Sequence, residues 1–397
     1  MAIVFAAAVW LLSSSITATP IQSSQRPNGN CKQFDIPIFA TAPSATYDIP
    51  RVNNDIEATA WAIYDATRST VHGVGNIIKN TTTSGTFKIH AQLCVPKSSQ
   101  KKDIIQIATH GVHYDSRYWD SDFQPAEHSY VDASLKAGYS ILTYDRLGVG
   151  QSDHPDAYEV VQAPLELEIL RQLTLMAYNG TLYTFAKQAR PNDAAFNNLT
   201  KPEKIVHIGH SFGSFLTSAF IANYGNLTDG AIITGYIYQQ FLAQTGSTTF
   251  SVEYAGTSNP PYKGGSGYVV ARKNGIQNVF FGGDIKTAYT PAMLEYGNSI
   301  KQPVPIGEFA SAFSLLGNVG LSFKAPVQYL LPENDFYICR GDCNGLADAD
   351  EIRNTTYPHA TAIEVAIQPN TGHALPLHNN ATAGFQLTFD FLARNGL

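Results

Sequence analysis

The chain has 397 residues, 44% hydrophobic and 15% charged, with a formal net charge of −6 at pH 7. That composition excludes a disordered chain and supports a large buried core, either one large domain with an insertion or two domains. With acids in excess and no basic stripe to neutralise a phosphate backbone, nucleic acid is not an expected partner.

Ile3 to Leu12 form an uncharged apolar run leading into Ser13-Ser-Ser-Ile-Thr-Ala18, small residues of the kind signal peptidase cuts. Residues 1–18 therefore read as a secretory signal peptide and the protein as extracellular. About twelve apolar residues fall short of the ~20 that span a bilayer, and no later segment qualifies as a membrane span. Asn-x-Ser/Thr sequons at Asn80, Asn179, Asn198, Asn226, Asn354 and Asn380 are expected glycosylation sites. Four cysteines in an exported chain are expected to be oxidised, and four allow three pairings. Cys339 and Cys343 are close enough to close a small loop, which leaves Cys31 to tie the N-terminal segment to the strand holding Cys94. No His or Cys lies near enough to complete a zinc set with Cys-x-x-x-Cys, and no cofactor is expected.

Residues 20–55, rich in Pro, Ser, Asn and Thr, predict a long irregular arm over the surface. Ile56, Ala60, Ile63 and Tyr64 follow at helical spacing, so that 19–85 forms an N-terminal arm and helix. Thr86–Pro96 alternates as a half-exposed strand does. From Ile104 the chain repeats apolar strand, glycine-containing turn and helix. Strands are expected at Ile104–Ala108, Tyr139–Tyr144, Ile205–Ile208, Ile232–Tyr238, Val327–Leu331 and Ile363–Ile367, with helices near 127–137 and 164–189. This alternation predicts an α/β fold with a mainly parallel sheet covered on both faces, whose ligands gather at the carboxyl ends of the strands. Residues 239–322 interrupt the rhythm with aromatic, Gly-rich and Pro-rich sequence too long for a simple loop. They are expected to be a cap over a core made of 86–238 and 323–397.

Chemistry concentrates at Gly209-His210-Ser211-Phe212-Gly213, directly after a strand and before a helix. Gly-x-Ser-x-Gly suits a strained strand-to-helix turn that lifts the serine hydroxyl to the top of a sheet. A serine needs a base, and the base needs an orienting acid. His373, in the loop Gln368-Pro-Asn-Thr-Gly-His373 after a strand, is the expected base; His378 is read as a surface residue. Asp335, in the turn Pro332-Glu333-Asn334-Asp335, is the expected acid, with Glu333 as its rival. The turn after Ile232–Tyr238 offers no Asp or Glu until Glu253. The amides of Val112 and Phe212 are the expected oxyanion donors, and His110 is expected to pack and hydrogen-bond.

His110-Gly111, Asp145-Arg146-Leu147-Gly148-Val149-Gly150-Gln151-Ser152 and Gly209-His210-Ser211-Phe212-Gly213, in this order, resemble the motifs of serine-dependent α/β-hydrolases. The resemblance covers roughly 86–397 and implies the α/β-hydrolase fold with a cap insertion. It also implies a structural turn with a buried ion pair at Asp145-Arg146. The run Tyr114 to Asp120 resembles that of secreted fungal members; Tyr114, Tyr118 and Trp119 either bind substrate or pack under the cap. Ser211 stands where related dehalogenases and epoxide hydrolases carry Asp. The expected function is a secreted serine hydrolase that cleaves a small-molecule carboxylic ester or lactone through an acyl-enzyme. The alternatives are a lyase or cyclase acting on a secondary metabolite, and an inactive binding protein.

Overall fold

In the computed structural model, the described residues are 23–71, 77–97, 101–189, 194–197, 199–237 and 246–397. The expected signal peptide and Asn198 lie outside them. Among the described residues twelve runs become strands: β1 Ser23–Gln25, β2 Gly29–Tyr47, β3 Ile77–Pro96, β4 Lys101–Thr109, β5 Tyr139–Tyr144, β6 Lys204–His210, β7 Gly230–Thr234, β8 Val252–Tyr254, β9 Tyr268–Ala271, β10 Val304–Pro305, β11 Val327–Pro332 and β12 Ile363–Gln368.

Nine of them form one sheet in the order β1-β2-β3-β5-β4-β6-β7-β11-β12. From β5 to β12 every pairing is parallel, with Ile208 of β6 opposite Ala108 of β4 and Ile232 of β7. Successive side chains on these strands point to opposite faces, and each face has its own core. Ile105 and Ile107 join Leu165, Leu173 and Phe220 under the helices Ala163–Asn179 and Phe212–Tyr224. Ala108, Val206 and Ile208 join Val131, Leu135 and Phe391 under the helices Tyr130–Ala137 and Ala381–Arg394. With both faces covered, the carboxyl ends of the parallel strands are left to carry loops.

The N-terminal arm differs from expectation: residues 29–47 are one long strand paired with β3 throughout. Phe34, Ile36, Ile38, Ala40 and Ala42 alternate and bury one face. Pro37 and Pro43 mask that period, yet beyond the short contact with β1 the outer side of β2 is a sheet edge, where proline is tolerated. The helix Asp55–Val71 forms, but with another face inward. Ala58, Trp61, Ala62 and Ala66 are buried while Ile56 and Ile63 are exposed. Trp61 packs edge-on against Phe309.

Between β7 and β11 the chain leaves the main sheet. Residues 246–322 include a three-stranded sheet, β10-β9-β8, and the helices Lys273–Phe280, Pro291–Ser299 and Ile306–Ser311. Both expected disulfides are present, Cys31–Cys94 directly across the β2/β3 pair and Cys339–Cys343 behind the β11 loop. Asn80, Asn179, Asn226 and Asn354 are exposed, whereas Asn380 is half-buried and its Nδ2 donates to the Pro369 carbonyl at 3.1 Å. Among the described residues no helix is long and apolar enough to cross a membrane.

Candidate active site

β6 delivers Ser211 to the top of the sheet through a turn that only small neighbours permit. A Cβ on Gly209 would stand 2.5 Å from the Gly213 carbonyl oxygen, and one on Gly213 would stand 2.2 Å from that of Thr109. Ser211 itself has φ +53° and ψ −119°, a conformation costly for a residue with a side chain. It is held by its amide, which donates to the Thr234 carbonyl at 3.0 Å, while Ser214 Oγ donates to the same carbonyl at 2.8 Å.

β11 and β12, two and three strands away, supply the other two groups. His373 Nε2 lies 2.8 Å from Ser211 Oγ, and His373 Nδ1 lies 2.5 Å from Asp335 Oδ2. All three are buried, Asp335 completely. Asp335 begins the short helix Phe336–Cys339, and its Oδ1 accepts from the Ile338 amide at 3.0 Å. Both carboxylate oxygens are therefore fixed. Glu333 does not touch the histidine: its Oε2 accepts from the Asn370 amide at 2.7 Å and so ties the two loops together.

His378 is not a surface residue. It is fully buried, its Nδ1 donates to the Ala374 carbonyl at 2.9 Å, and its Nε2 accepts the amides of Gly372 at 3.0 Å and Gly282 at 3.3 Å. Burial lowers its pKa to about 4, so the ring is a neutral clip joining the His373 loop to the inserted segment. His210 is also neutral: burial, then the neighbouring His373 and His110, hold its pKa well below the ordinary value. Its Nδ1 donates to Thr234 Oγ1 at 3.1 Å, and its ring stacks on Tyr118 at 4.3 Å.

The turn after β4 lies against the serine, since a Cβ on Gly111 would stand 2.9 Å from the Ser211 Cβ. Neither the Val112 nor the Phe212 amide has an acceptor among the described residues. His110 packs as expected. Its Nδ1 donates to the Gly111 carbonyl at 2.8 Å and its Nε2 accepts the Arg146 amide at 3.0 Å. The ion pair at Asp145-Arg146 has other partners than adjacency suggests. Arg146 pairs with Glu166 and Glu308, while Asp145 accepts from the amides of Ser116 and Gln151.

Tyr114, Tyr118 and Trp119 are buried and packed: Tyr114 against Phe280, Tyr118 against His210, and Trp119 against Tyr130. Besides His210, whose ring centroid lies 4.8 Å from that of His373, the rings against the base are Tyr337 and Phe280, with centroids at 5.3 and 5.7 Å, and Phe250 lies 5.2 Å from Tyr337. Phe280-Phe-Gly-Gly283 stands out as a motif within the insertion, but no local signal marks Tyr337. No group of His, Cys, Asp or Glu among the described residues could hold a metal ion.

A family model described as the alpha/beta hydrolase fold matches residues 110–237. The chain has the α/β-hydrolase fold. The match spans the His110 turn, the Asp145-Arg146 turn and the Ser211 elbow. Among solved structures, the chain is similar to a carboxylesterase structure from the thaumarchaeon Nitrososphaera gargenis, with 13% identity over 78% of this chain and 96% of that one and a TM-score of 0.50. It is also similar to the alpha/beta hydrolase GrgF from Penicillium sp., with 16% identity over 78% and 95% and a TM-score of 0.46. Est1E from Butyrivibrio proteoclasticus, solved with ferulic acid, shares 13% identity over 78% and 96%, with a TM-score of 0.41. A search of curated proteins found no match.

Proposed function

We propose that this α/β-hydrolase is a secreted carboxylic-ester hydrolase acting through an acyl-enzyme. The observation that carries the reading is the continuous hydrogen-bond chain from Ser211 Oγ through His373 to Asp335. In the first half-reaction His373 Nε2 takes the Ser211 proton as Oγ attacks the ester carbonyl carbon. The amides of Val112 and Phe212, free of other acceptors, receive the oxyanion. His373 then returns the proton to the departing alcohol oxygen, the carbon–oxygen bond breaks, and Ser211 remains acylated. In the second half His373 deprotonates water, which attacks the acyl carbon, and the proton passes to Ser211 as the acid leaves. Asp335 stabilises the transient imidazolium and keeps the proton of the resting ring on Nδ1. A lactone is opened by the same steps, its alcohol staying attached to the acid.

Residues 239–322 act as the cap. Phe280 on His373, and the Gly282 amide on His378, support that assignment. The two disulfides and the exposed sequons support passage through an oxidising, glycosylating pathway. The test is a panel of short-chain esters, lactones and thioesters on the purified secreted protein. Turnover of esters or lactones is expected; a folded protein that turns over neither would overturn the proposal.

A further inference from the structure

Against Phe212, the residue that follows Ser211, lies a buried charge cluster that the reaction just described does not use. Arg146, in the turn after β5, places Nη1 2.5 Å from Glu166 Oε2 and Nη2 3.1 Å from Glu308 Oε2. Glu166 belongs to the helix Ala163–Asn179 and Glu308 to the helix Ile306–Ser311 of the inserted segment. All three side chains are at most 3% exposed. The guanidinium also lies over the Phe212 ring, 4.6 Å from its centroid, and the Arg146 amide is the donor to His110, next to Gly111. The Arg146 side chain thus touches the residue that carries the Phe212 donor, its backbone amide holds the His110 ring at the start of the other turn, and its guanidinium is itself gripped by the insertion.

We propose that Glu308 is a positioning residue: through Arg146 it holds Phe212, and so the second oxyanion donor, in place, and it does so as half of a carboxyl pair that shares one proton with Glu166. The inference rests on the ester-hydrolase reading. The charge count supports the shared proton. One guanidinium between two ionised carboxylates would leave an unbalanced negative charge in the interior, which is far more costly than a neutral cluster. Each acid also keeps an Oε1 without an N–H donor. Both carboxyl groups are held on the one guanidinium, Glu166 Oε2 on Nη1 and Glu308 Oε2 on Nη2. Burial, opposed by Arg146, raises the pKa of both acids. The other titratable groups facing the cluster are Tyr144, Tyr268, His110 and His113. Burial pushes both phenols up and both imidazoles down, so none of these four changes charge between pH 5 and 9.

A carboxamide imitates a protonated carboxyl, whereas an alkyl group does not. The experiment compares wild type, Glu308→Gln and Glu308→Leu for kcat and KM on p-nitrophenyl acetate, for the rate of Ser211 labelling by a fluorophosphonate, and for Tm across pH 5–9. Glu308→Leu should lower kcat and the labelling rate together by about tenfold, a fraction of the ~10²–10³ that loss of a whole oxyanion donor costs, with KM little changed. Glu308→Gln should restore most of the lost rate. In the wild type the folded state keeps a proton that the unfolded chain releases above about pH 4.5, so Tm should fall as pH rises through the raised pKa. That dependence should flatten in Glu308→Gln. A folded Glu308→Leu that turns over like wild type, or loses only KM, overturns the positioning role. Parallel Tm profiles in wild type and Glu308→Gln overturn the shared proton even if Glu308→Leu does not fold. Failure of the ester-hydrolase reading is distinct, since it shows as a wild type that neither turns over the ester nor takes the label.

Discussion

Replacing Asp335 with Asn removes one negative charge while keeping shape, and the structure says which way the new carboxamide turns. Asp335 Oδ1 accepts from the Ile338 amide at 3.0 Å and Oδ2 faces His373 Nδ1 at 2.5 Å. If the carboxamide NH2 faced Ile338, two donors would meet in a buried site, leaving an unsatisfied amide at about 1–3 kcal/mol. If it faces His373, the imidazole need only move its proton to Nε2, a change between neutral tautomers that costs less. The second arrangement wins, and it turns Nε2 from an acceptor into a donor toward Ser211 Oγ. The base is lost and the imidazolium has no counter-charge. Loss of the acid in a comparable triad costs about 10⁴ in turnover, or ~5.5 kcal/mol of barrier. The assay is kcat on p-nitrophenyl acetate near neutral pH, with Tm measured alongside to show that the variant folds. An Asp335→Asn protein that keeps more than about a tenth of wild-type kcat would refute this reasoning, as would a larger loss from Glu333→Gln.

Further outcomes follow from packing and covalent structure. Gly213→Ala places a Cβ 2.2 Å from the Thr109 carbonyl oxygen, where backbone must move. Overpacking of this kind costs about 1–3 kcal/mol or more, so a clear drop in Tm or a loss of soluble protein is expected. Gly265→Ala, whose Cβ would meet nothing within 4 Å, is the control and should melt like wild type. Cys31→Ser with Cys94→Ser opens a crosslink between residues 63 apart, for which loop entropy gives about 4 kcal/mol. A fall in the denaturant midpoint with retained ester turnover is expected. An unchanged midpoint would show that the β2/β3 ladder, not the bond, holds the edge of the sheet.

Much of the site is legible in the sequence because each part follows an apolar strand. Strand ends are local signals, and a parallel sheet then gathers the loops after β4, β6, β11 and β12 on one edge without any long-range information. What is hidden depends on tertiary packing. The β2 strand escapes notice because its inward residues include Ala40 and Ala42, too small to announce a period, and because proline at an open edge looks like a loop. The helix Asp55–Val71 is legible as a helix but not in orientation. Its outward isoleucines outrank its inward alanines in hydrophobicity, and Trp61 decides the face by packing on Phe309. Arg146 invites pairing with its neighbour Asp145, yet its partners are 20 and 162 residues away. His378 resembles a spare loop histidine until the fold brings the Gly282 amide to it.

The central claim is that Ser211 is the acylated nucleophile, and its most direct test is stoichiometric labelling with a fluorophosphonate followed by peptide mass analysis, on wild type and Ser211→Ala. One adduct per wild-type chain, located on the peptide containing Ser211, together with no adduct and no ester turnover in a Ser211→Ala protein of unchanged Tm, is the predicted result. An adduct on another residue, or a folded Ser211→Ala protein that still hydrolyses the ester, would contradict it.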